Sequence, residues 1–232
     1  RVPGEPLVSL DPRFELAYAS GFPAVSPDGR TIAVSERAPT GDRMALVIWN
    51  TDGTNPRRVY RDAGNVMGLE WSRDGQWLAF GAGAFFGART SRPAEILIMR
   101  ADGTKPRAVT RGPGNAGFPS WSPDGTEIVY RFWDGREQGE GLRIVDVATG
   151  ESRVLTTEYD TLPGWSPDGD RIIFTRYARD ERFRYDEFDI YSIRPDGMGL
   201  ERLTDAEGND AHSFWSPDGS HILFSSSRFG FK

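Results

Sequence analysis

Residue types that carry out catalysis or hold metal ions are scarce in this sequence. Its 232 residues include no cysteine and two histidines, His212 and His221. Without cysteine the chain can form neither disulfides nor thiolate metal sites. A nucleophile elbow of the form G-x-S-x-G, followed by an acid and a histidine, does not occur. The sequence therefore predicts no catalytic residue and no cofactor.

His212 is the histidine that is better placed for metal binding, because Asp210 lies two residues before it. One imidazole and one carboxylate are nevertheless too few protein ligands for a stable site, since zinc sites use three or four. We therefore expect no bound metal. His221 falls at a position that other repeats fill with varied residue types, so we expect it to face solvent.

Amide or carboxylate side chains recur six or seven positions before four of the five repeated turns. We predict that, together with His212, they lie at the mouth of a central channel: Asn65, Asn115, Asp160, Asn209 and Asp210. A ring of amide and carboxylate oxygens could hold a cation or a polar ligand. Ordinary hydration of a channel mouth explains the same residues, and both interpretations stay open.

Aromatic and arginine side chains are concentrated in long loops of unequal length. The candidate binding residues in these loops are Phe85, Phe86, Arg89, Arg92, Trp133, Arg136, Arg182, Phe183, Arg184 and Tyr185. Long loops on a rigid frame often carry function, and aromatics and arginines are enriched in protein interfaces. We predict that they bind a protein or peptide. The alternative is that they fold back over the strands.

The elements that position these residues follow from a turn motif repeated five times. Its copies are Ser26–Gly29, Ser72–Gly75, Ser122–Gly125, Ser166–Gly169 and Ser216–Gly219, separated by 46, 50, 44 and 50 residues. Proline presets the backbone of such a turn, aspartate bonds locally and glycine takes the left-handed conformation. β-branched and aromatic runs flank each turn, which indicates strands. A second hairpin follows, with turns such as Ala101-Asp102-Gly103.

Four strands per repeat at this period predict an all-β fold, a β-propeller of four-stranded antiparallel blades. We expect a single domain over residues 1–232. The predicted blades span about 20–62, 63–112, 113–157, 158–205 and 206–232, the last completed by 6–19. Two closures stay open, a five-bladed ring closed by both termini or a fragment of a six-bladed ring. The repeated tryptophans, at Trp71 and its equivalents, are expected to be wedges between blades.

The pattern strand-W-S-P-D-G-strand, followed by an A-D-G-T hairpin, resembles the TolB-type propeller repeat from about residue 14 to residue 224. The resemblance implies a non-catalytic binding or scaffolding propeller, periplasmic or secreted, with a protein or peptide partner associated with the cell envelope. Similar propellers also occur in larger enzymes. The alternative is therefore an accessory or gating propeller of a prolyl-oligopeptidase-like hydrolase, or a metal-dependent uronate lyase, which holds its metal with several channel histidines.

The composition narrows the possible partners. The formal net charge is −6, whereas nucleic-acid binding needs a concentrated positive face. No apolar run approaches the length of a membrane span. The sequence therefore predicts neither a nucleic-acid partner nor a membrane span.

Overall fold

The repeated turns close the first hairpin of each blade by hydrogen bonds within six residues. In the third repeat, Ser122 Oγ donates to Asp124 Oδ1 (2.6 Å) and accepts from the backbone N–H of Glu127 (2.9 Å). Asp124 Oδ1 also accepts from the backbone N–H of Thr126 (3.0 Å). Gly125 has a φ of +73°, which a residue with a Cβ adopts only under strain. The same bonds occur in all five turns.

The structure is a computed structural model that describes residues 23–37, 44–62, 64–84, 93–134, 140–178 and 187–228. The first two blades contain β1 (Ala24–Val25), β2 (Thr31–Arg37), β3 (Met44–Asn50), β4 (Arg57–Asp62), β5 (Asn65–Trp71), β6 (Trp77–Gly83), β7 (Glu95–Arg100) and β8 (Arg107–Ala108). The next two contain β9 (Asn115–Trp121), β10 (Glu127–Trp133), β11 (Glu140–Asp146), β12 (Ser152–Val154), β13 (Asp160–Trp165), β14 (Ile172–Ala178), β15 (Glu187–Ile193) and β16 (Glu201–Arg202). The fifth contains β17 (Asp210–Trp215) and β18 (Ile222–Ser226).

These strands form four antiparallel four-stranded sheets and one two-stranded sheet. In every sheet the strands follow one another in chain order, as in a meander. The described residues contain strands and turns but no helix. The prediction of an all-β propeller with four-stranded antiparallel blades is confirmed. The segment 6–19, expected to complete the fifth blade, lies outside the described residues.

The hydrophobic core lies between neighbouring blades. Leu78 and Phe80 on one face of β6 pack with Leu46 of the preceding blade, whereas Ala79 on the other face packs with Ile128 of the following blade. Successive side chains of a strand point to opposite faces. Because both faces are buried here, the middle strands are continuous apolar runs.

The repeated tryptophans join one blade to the next, as expected of wedges. Three indole Nε1 groups donate to a carbonyl oxygen of the preceding blade: Trp71 to Ala24 (3.0 Å), Trp121 to Glu70 (3.3 Å) and Trp215 to Gly164 (3.2 Å). Trp165 differs, since its Nε1 donates to Gly169 of its own blade (3.1 Å). Its backbone N–H instead donates to Ser120 Oγ of the preceding blade (3.0 Å).

Candidate functional site

The described strands that flank the long loops end opposite the Ser-Pro-Asp-Gly turns. We call these two ends of each blade the long-loop end and the tight-turn end. Trp133 is the predicted loop-binding residue that the structure describes. It is partly buried at the end of β10, where it pairs with Glu140 and Asn115. The other predicted loop residues lie outside the described residues: Phe85, Phe86, Arg89, Arg92, Arg136, Arg182, Phe183, Arg184 and Tyr185.

An aromatic cluster lies at the long-loop end of the third and fourth blades. The ring centroids of Tyr177 and Phe188, which are cross-strand partners, are 5.4 Å apart. The Tyr159 ring lies 5.6 Å from Tyr177, and the Arg131 guanidinium lies 4.6 Å above Tyr159. Tyr159 is 39% exposed. The roots of the loop at 177–189 therefore present aromatic surface with an arginine beside it.

Two of the predicted channel-mouth amides connect neighbouring blades. Asn115 Oδ1 accepts from the backbone N–H of Ala94 (2.9 Å), and Asn209 Oδ1 accepts from that of Phe188 (3.0 Å). Each bond reaches a backbone N–H within one residue of the start of the third strand in the preceding blade. Asn65 occupies the same position at the start of β5, opposite Gly83.

The predicted channel-mouth carboxylates are paired with arginines. Asp160 lies opposite Arg176 in the sheet, and its side chain has no exposed surface. The Nε and Nη2 groups of Arg176 donate to the two carboxylate oxygens of Asp160 at 2.7 and 2.8 Å. Asp210 accepts from Arg228 Nη2 at 2.5 Å. A cation bound by Asn115, Asn209, Asp160 or Asp210 would therefore have to displace the backbone N–H or arginine partner of that residue.

Two further acids at the long-loop end, Glu36 and Asp189, are also paired with arginines. Glu36 is buried and receives two hydrogen bonds from Arg58, of 2.8 and 2.7 Å. Asp189 is buried and accepts from Arg202 Nη2 at 2.6 Å. Burial raises the pKa of Asp189 and outweighs the opposing effect of Arg202, and the nearby Asp210 carboxylate raises it further.

His212 lies in a bulge that recurs in the inner strands. It has a φ of +56°, and the equivalent residues Gly68, Phe118 and Leu162 have values between +52° and +62°. Its Nδ1 lies 3.1 Å from Ser225 Oγ. Within the described residues, no three His, Cys, Asp or Glu side chains are grouped so that they could hold a metal ion. The donor set around His212 therefore does not fit the metal that the lyase alternative requires.

His221 is exposed, as predicted, and its Nδ1 lies 2.7 Å from Ser220 Oγ.

A cavity of about 460 Å³ lies at the centre of the blades, toward the tight-turn end. Its wall consists of residues from the inner strand and turn of the blades, and most of it is apolar, with proline, tryptophan, Phe118, Leu162 and Phe214. Two titratable side chains, Glu70 and His212, are among the described residues that line it. This cavity was not among the predicted sites.

Glu70 is the residue of this cavity that sequence reasoning missed. Its Oε1 accepts from Ser120 Oγ (3.1 Å) and from the backbone N–H of Trp121 (3.4 Å). Burial raises the pKa of Glu70 to about 8, against the lowering effect of these two hydrogen bonds. The side chain keeps some accessible surface because it lines the cavity, while protein atoms surround it on its other sides.

A signal for Glu70 was present in the sequence. The position two residues before the turn serine holds small or apolar residues in three other repeats and Ser120 in the fourth: Ala24, Ser120, Gly164 and Phe214. A charged residue at such a position breaks the repeat pattern.

The second repeat also departs from the turn motif, because Arg73 replaces the usual proline. Its Nη1 donates to the carbonyl of Pro167 in the turn of the fourth blade, at 2.5 Å. This contact joins two blades that are not neighbours in the chain. Because Pro167 belongs to the cavity wall, Arg73 lies beside the tight-turn end of the cavity.

Comparison with known proteins supports a propeller of the TolB type. A family model for the TolB beta propeller domain matches residues 13–182 and 84–232. Among solved structures, the chain is similar to a protein assigned as TolB from Agrobacterium tumefaciens, with 26% identity and a TM-score of 0.69 over 88% of this chain and 68% of that protein. No curated protein matches the chain.

Two more distant structures share the fold. TolB from Acinetobacter baumannii is 24% identical, with a TM-score of 0.68 over 84% of this chain and 47% of that protein. An oligogalacturonate lyase from Vibrio parahaemolyticus is 12% identical, with a TM-score of 0.68 over 93% of this chain and 64% of that protein. The chain thus spans between 47 and 68% of the length of these three proteins.

Proposed function

This chain belongs to the TolB beta propeller domain family, and from that premise we propose that it is a non-catalytic propeller that binds a protein or peptide partner through its long-loop end. A propeller fold alone does not define a function, since one fold can host many sites. The proposal therefore depends on what the two ends of the blades offer to a partner.

The observation that carries the proposal is the aromatic cluster of Tyr159, Tyr177 and Phe188 with Arg131. Aromatic rings with an adjacent arginine are the usual energetic centres of protein interfaces. The cluster lies at the roots of the loop at 177–189, whose sequence adds Phe183 and Tyr185. Further aromatic side chains beside this cluster would extend one continuous contact surface.

The tight-turn end offers less to distinguish one partner from another. Its five first-hairpin turns share the same internal hydrogen bonds and the same glycine conformation. Its other turns repeat a similar pattern, in which Asp52 and Asp102 accept from the N–H of Thr54 and Thr104. Specific recognition needs contacts that differ from blade to blade.

The test is affinity capture from the cell envelope of the source organism, followed by titration of the captured protein in purified form. We compare wild type with a Phe183→Ala/Tyr185→Ala variant and with a control altered at the other end, Thr54→Ala/Thr104→Ala. We expect the loop variant to bind at least about tenfold more weakly, since interface anchors contribute about 2 kcal/mol or more each. Loss of the same partner in the threonine control alone would overturn the proposal.

We also propose that the protein acts outside the cytoplasm, in the periplasm or after secretion, and the same family membership supports this location. The described part of the chain contains no apolar helix of membrane-spanning length. Fractionation of the source cells with an antibody to the propeller tests this proposal. Recovery in the cytoplasmic fraction would contradict it.

The same purified material tests the lyase alternative. We expect no stoichiometric transition metal after purification without chelators, because the described surroundings of His212 offer too few ligands. Elemental analysis that finds about one zinc or manganese per chain, lost in His212→Ala, would favour the lyase alternative.

A further inference from the structure

Glu70 differs from the buried acids of the long-loop end. Glu36, Asp160, Asp189 and Asp210 each accept a hydrogen bond from an arginine at 2.5 to 2.8 Å. The described residues provide no such partner for Glu70, whose two hydrogen bonds come from a hydroxyl and a backbone N–H. A carboxylate taken out of water is costly unless a positive charge or several donors compensate it. Glu70 therefore lacks the compensation that the other four acids have.

The geometry of the carboxyl leaves room for a further donor. Both hydrogen bonds that Glu70 accepts reach Oε1. No donor among the described residues reaches Oε2, while Glu70 is partly exposed and is one of the residues that line the cavity. An ammonium or guanidinium group that entered the cavity could donate to Oε2, and such charge-assisted bonds are about twice as strong as neutral ones.

The rest of the cavity suits the apolar part of such a molecule. Its volume of about 460 Å³ falls within the range of small-molecule sites, about 300–1,000 Å³. Trp71, Trp165 and Phe214 are in its wall, and aromatic faces attract organic cations. One carboxyl in a mainly apolar wall is a poor site for a hard metal ion, which needs six or more oxygen ligands.

From these observations we propose that the cavity at the centre of the blades binds a small organic cation. The ammonium or guanidinium group of this molecule pairs with Glu70, while its apolar body contacts the cavity wall. This site lies toward the tight-turn end and does not depend on the partner proposed for the long-loop end. The negative charge of Glu70 favours a cationic ligand over a neutral one. The apolar wall favours a ligand whose remaining part is apolar or aromatic over one whose remaining part is hydrophilic.

The probes are benzamidine, which carries a positive charge on an aromatic ring, and benzamide, its neutral counterpart of similar shape. Each is titrated calorimetrically into wild type, Glu70→Gln and Glu151→Gln. The glutamine at position 70 keeps the side-chain shape and an oxygen acceptor but removes the charge. Glu151→Gln makes the same change in net charge at an exposed turn residue.

We expect benzamidine to bind wild type and Glu151→Gln with equal affinity, and Glu70→Gln about 10 to 100 times more weakly, the range for hydrogen bonds to charged groups. Benzamide should bind weakly and equally to all three proteins. Equal binding of benzamidine and benzamide to wild type would overturn the proposal without reference to any variant. So would no detectable benzamidine binding, or an equal loss in the two variants.

Proton release gives a second measurement that a purely structural role of Glu70 would not produce. A carboxyl that is mostly protonated near neutral pH must lose its proton to pair with a cation. Titrations at pH 7 in two buffers of different ionisation enthalpy should show release of nearly one proton in wild type and none in Glu70→Gln. Proton release that persists in Glu70→Gln would come from a group other than Glu70 and would contradict the proposal.

Discussion

The two ends of the blades hold their acidic side chains in different ways. At the long-loop end, acids such as Asp160 and Glu36 are buried and each meets an arginine. At the tight-turn end, turn aspartates such as Asp124 are exposed and bond to their own hairpin. Glu70 belongs to neither group, because it faces the cavity without an arginine among the described residues.

The acids of the two ends and Glu70 also differ in the direction in which the protein shifts their pKa values and in the cause of that shift. Hydrogen bonds from Ser122 and Thr126 lower the pKa of Asp124. Burial raises the pKa of both Asp189 and Glu70, but arginine opposes the rise at Asp189, whereas Glu70 reaches about 8. Burial alone therefore does not distinguish an acid that is proposed to bind a ligand, such as Glu70, from an acid with a structural partner, such as Asp189. The distinguishing feature is burial without a charged partner.

The largest effect should come from breaking a buried pair at the long-loop end. Arg176→Ala leaves the Asp160 carboxylate buried and uncompensated, which costs about 3–5 kcal/mol of unfolding free energy. Adding Asp160→Asn to this variant should recover part of the loss. Urea denaturation measures both.

Arg194→Ala serves as the matched control, because the Arg194–Asp196 pair is about half exposed on both sides. It should leave the urea midpoint close to that of wild type, because exposed ion pairs contribute little to stability. If Arg176→Ala cost as little as Arg194→Ala, the long-loop end would not depend on its buried pairs.

The next effect concerns Glu70 and depends on pH. Its pKa is raised from 4.5 to about 8 in the folded protein, so the folded state binds more protons than the unfolded state between these values. Wild-type stability should therefore fall, relative to Glu70→Gln, as pH rises from about 4.5 to 8. From pH 4.5 to above pH 8, wild type should lose about 2 kcal/mol of unfolding free energy relative to the variant, a value that allows for the accessible side of Glu70.

Urea denaturation of the two proteins at pH 5, 7 and 8.5 measures this difference. A constant difference across that range would mean that Glu70 titrates normally, and the contrast between the two ends would disappear.

A smaller effect should come from the turns, which depend on backbone conformation and not on charge. Gly125→Val places a β-branched residue at a φ of +73° and should destabilise the protein by about 1–3 kcal/mol. No atom lies within 4 Å of a Cβ at this position, so the cost comes from the backbone alone. Thr126→Val, one residue on, removes an exposed hydrogen bond from the Thr126 hydroxyl to Asp124 (2.9 Å) but keeps an unstrained backbone, so it should cost clearly less than Gly125→Val; equal melting temperatures for the two variants would contradict the turn assignment.

The smallest effect should come from restoring the motif at Arg73. Arg73→Pro loses the hydrogen bond to Pro167, worth about 1 kcal/mol. It also gains about 0.4–1 kcal/mol, because proline restricts the unfolded chain. The two contributions nearly cancel, and the melting temperature should shift by no more than about 3 °C. A large loss would show that the contact between the second and fourth blades is a major support of the tight-turn end.

The repeat made most of the fold predictable. The serine, aspartate and glycine of each turn have local roles, so the sequence at Ser122–Gly125 was enough to define its hairpin. Trp71 and Trp121 were expected between blades because they recur at one blade position. The features that were missed depend on partners far away in the chain or on backbone angles that residue type does not reveal.

Two examples show this limit. Asp160 was assigned to a polar channel mouth, but its partner Arg176 is 16 residues away and becomes visible only through the strand register. The sequence predicts His212 at the channel mouth, together with Asp210. In the structure it shares a left-handed bulge with Phe118 and Leu162, residue types that give no sign of positive φ. The surroundings of Glu70 likewise depend on the next blade, since its partners Ser120 and Trp121 are 50 and 51 residues away.

The turn hydrogen bonds also bear on how the chain reaches this fold. Every donor and acceptor of a Ser-Pro-Asp-Gly turn lies within five residues of its partner, and hairpins of this kind form in about 1–10 μs. The indole bonds between blades instead join residues 47 to 51 positions apart, so they must wait for two sheets to meet. We therefore expect the hairpins to form early and independently, and the docking of one blade on the next to limit the folding rate.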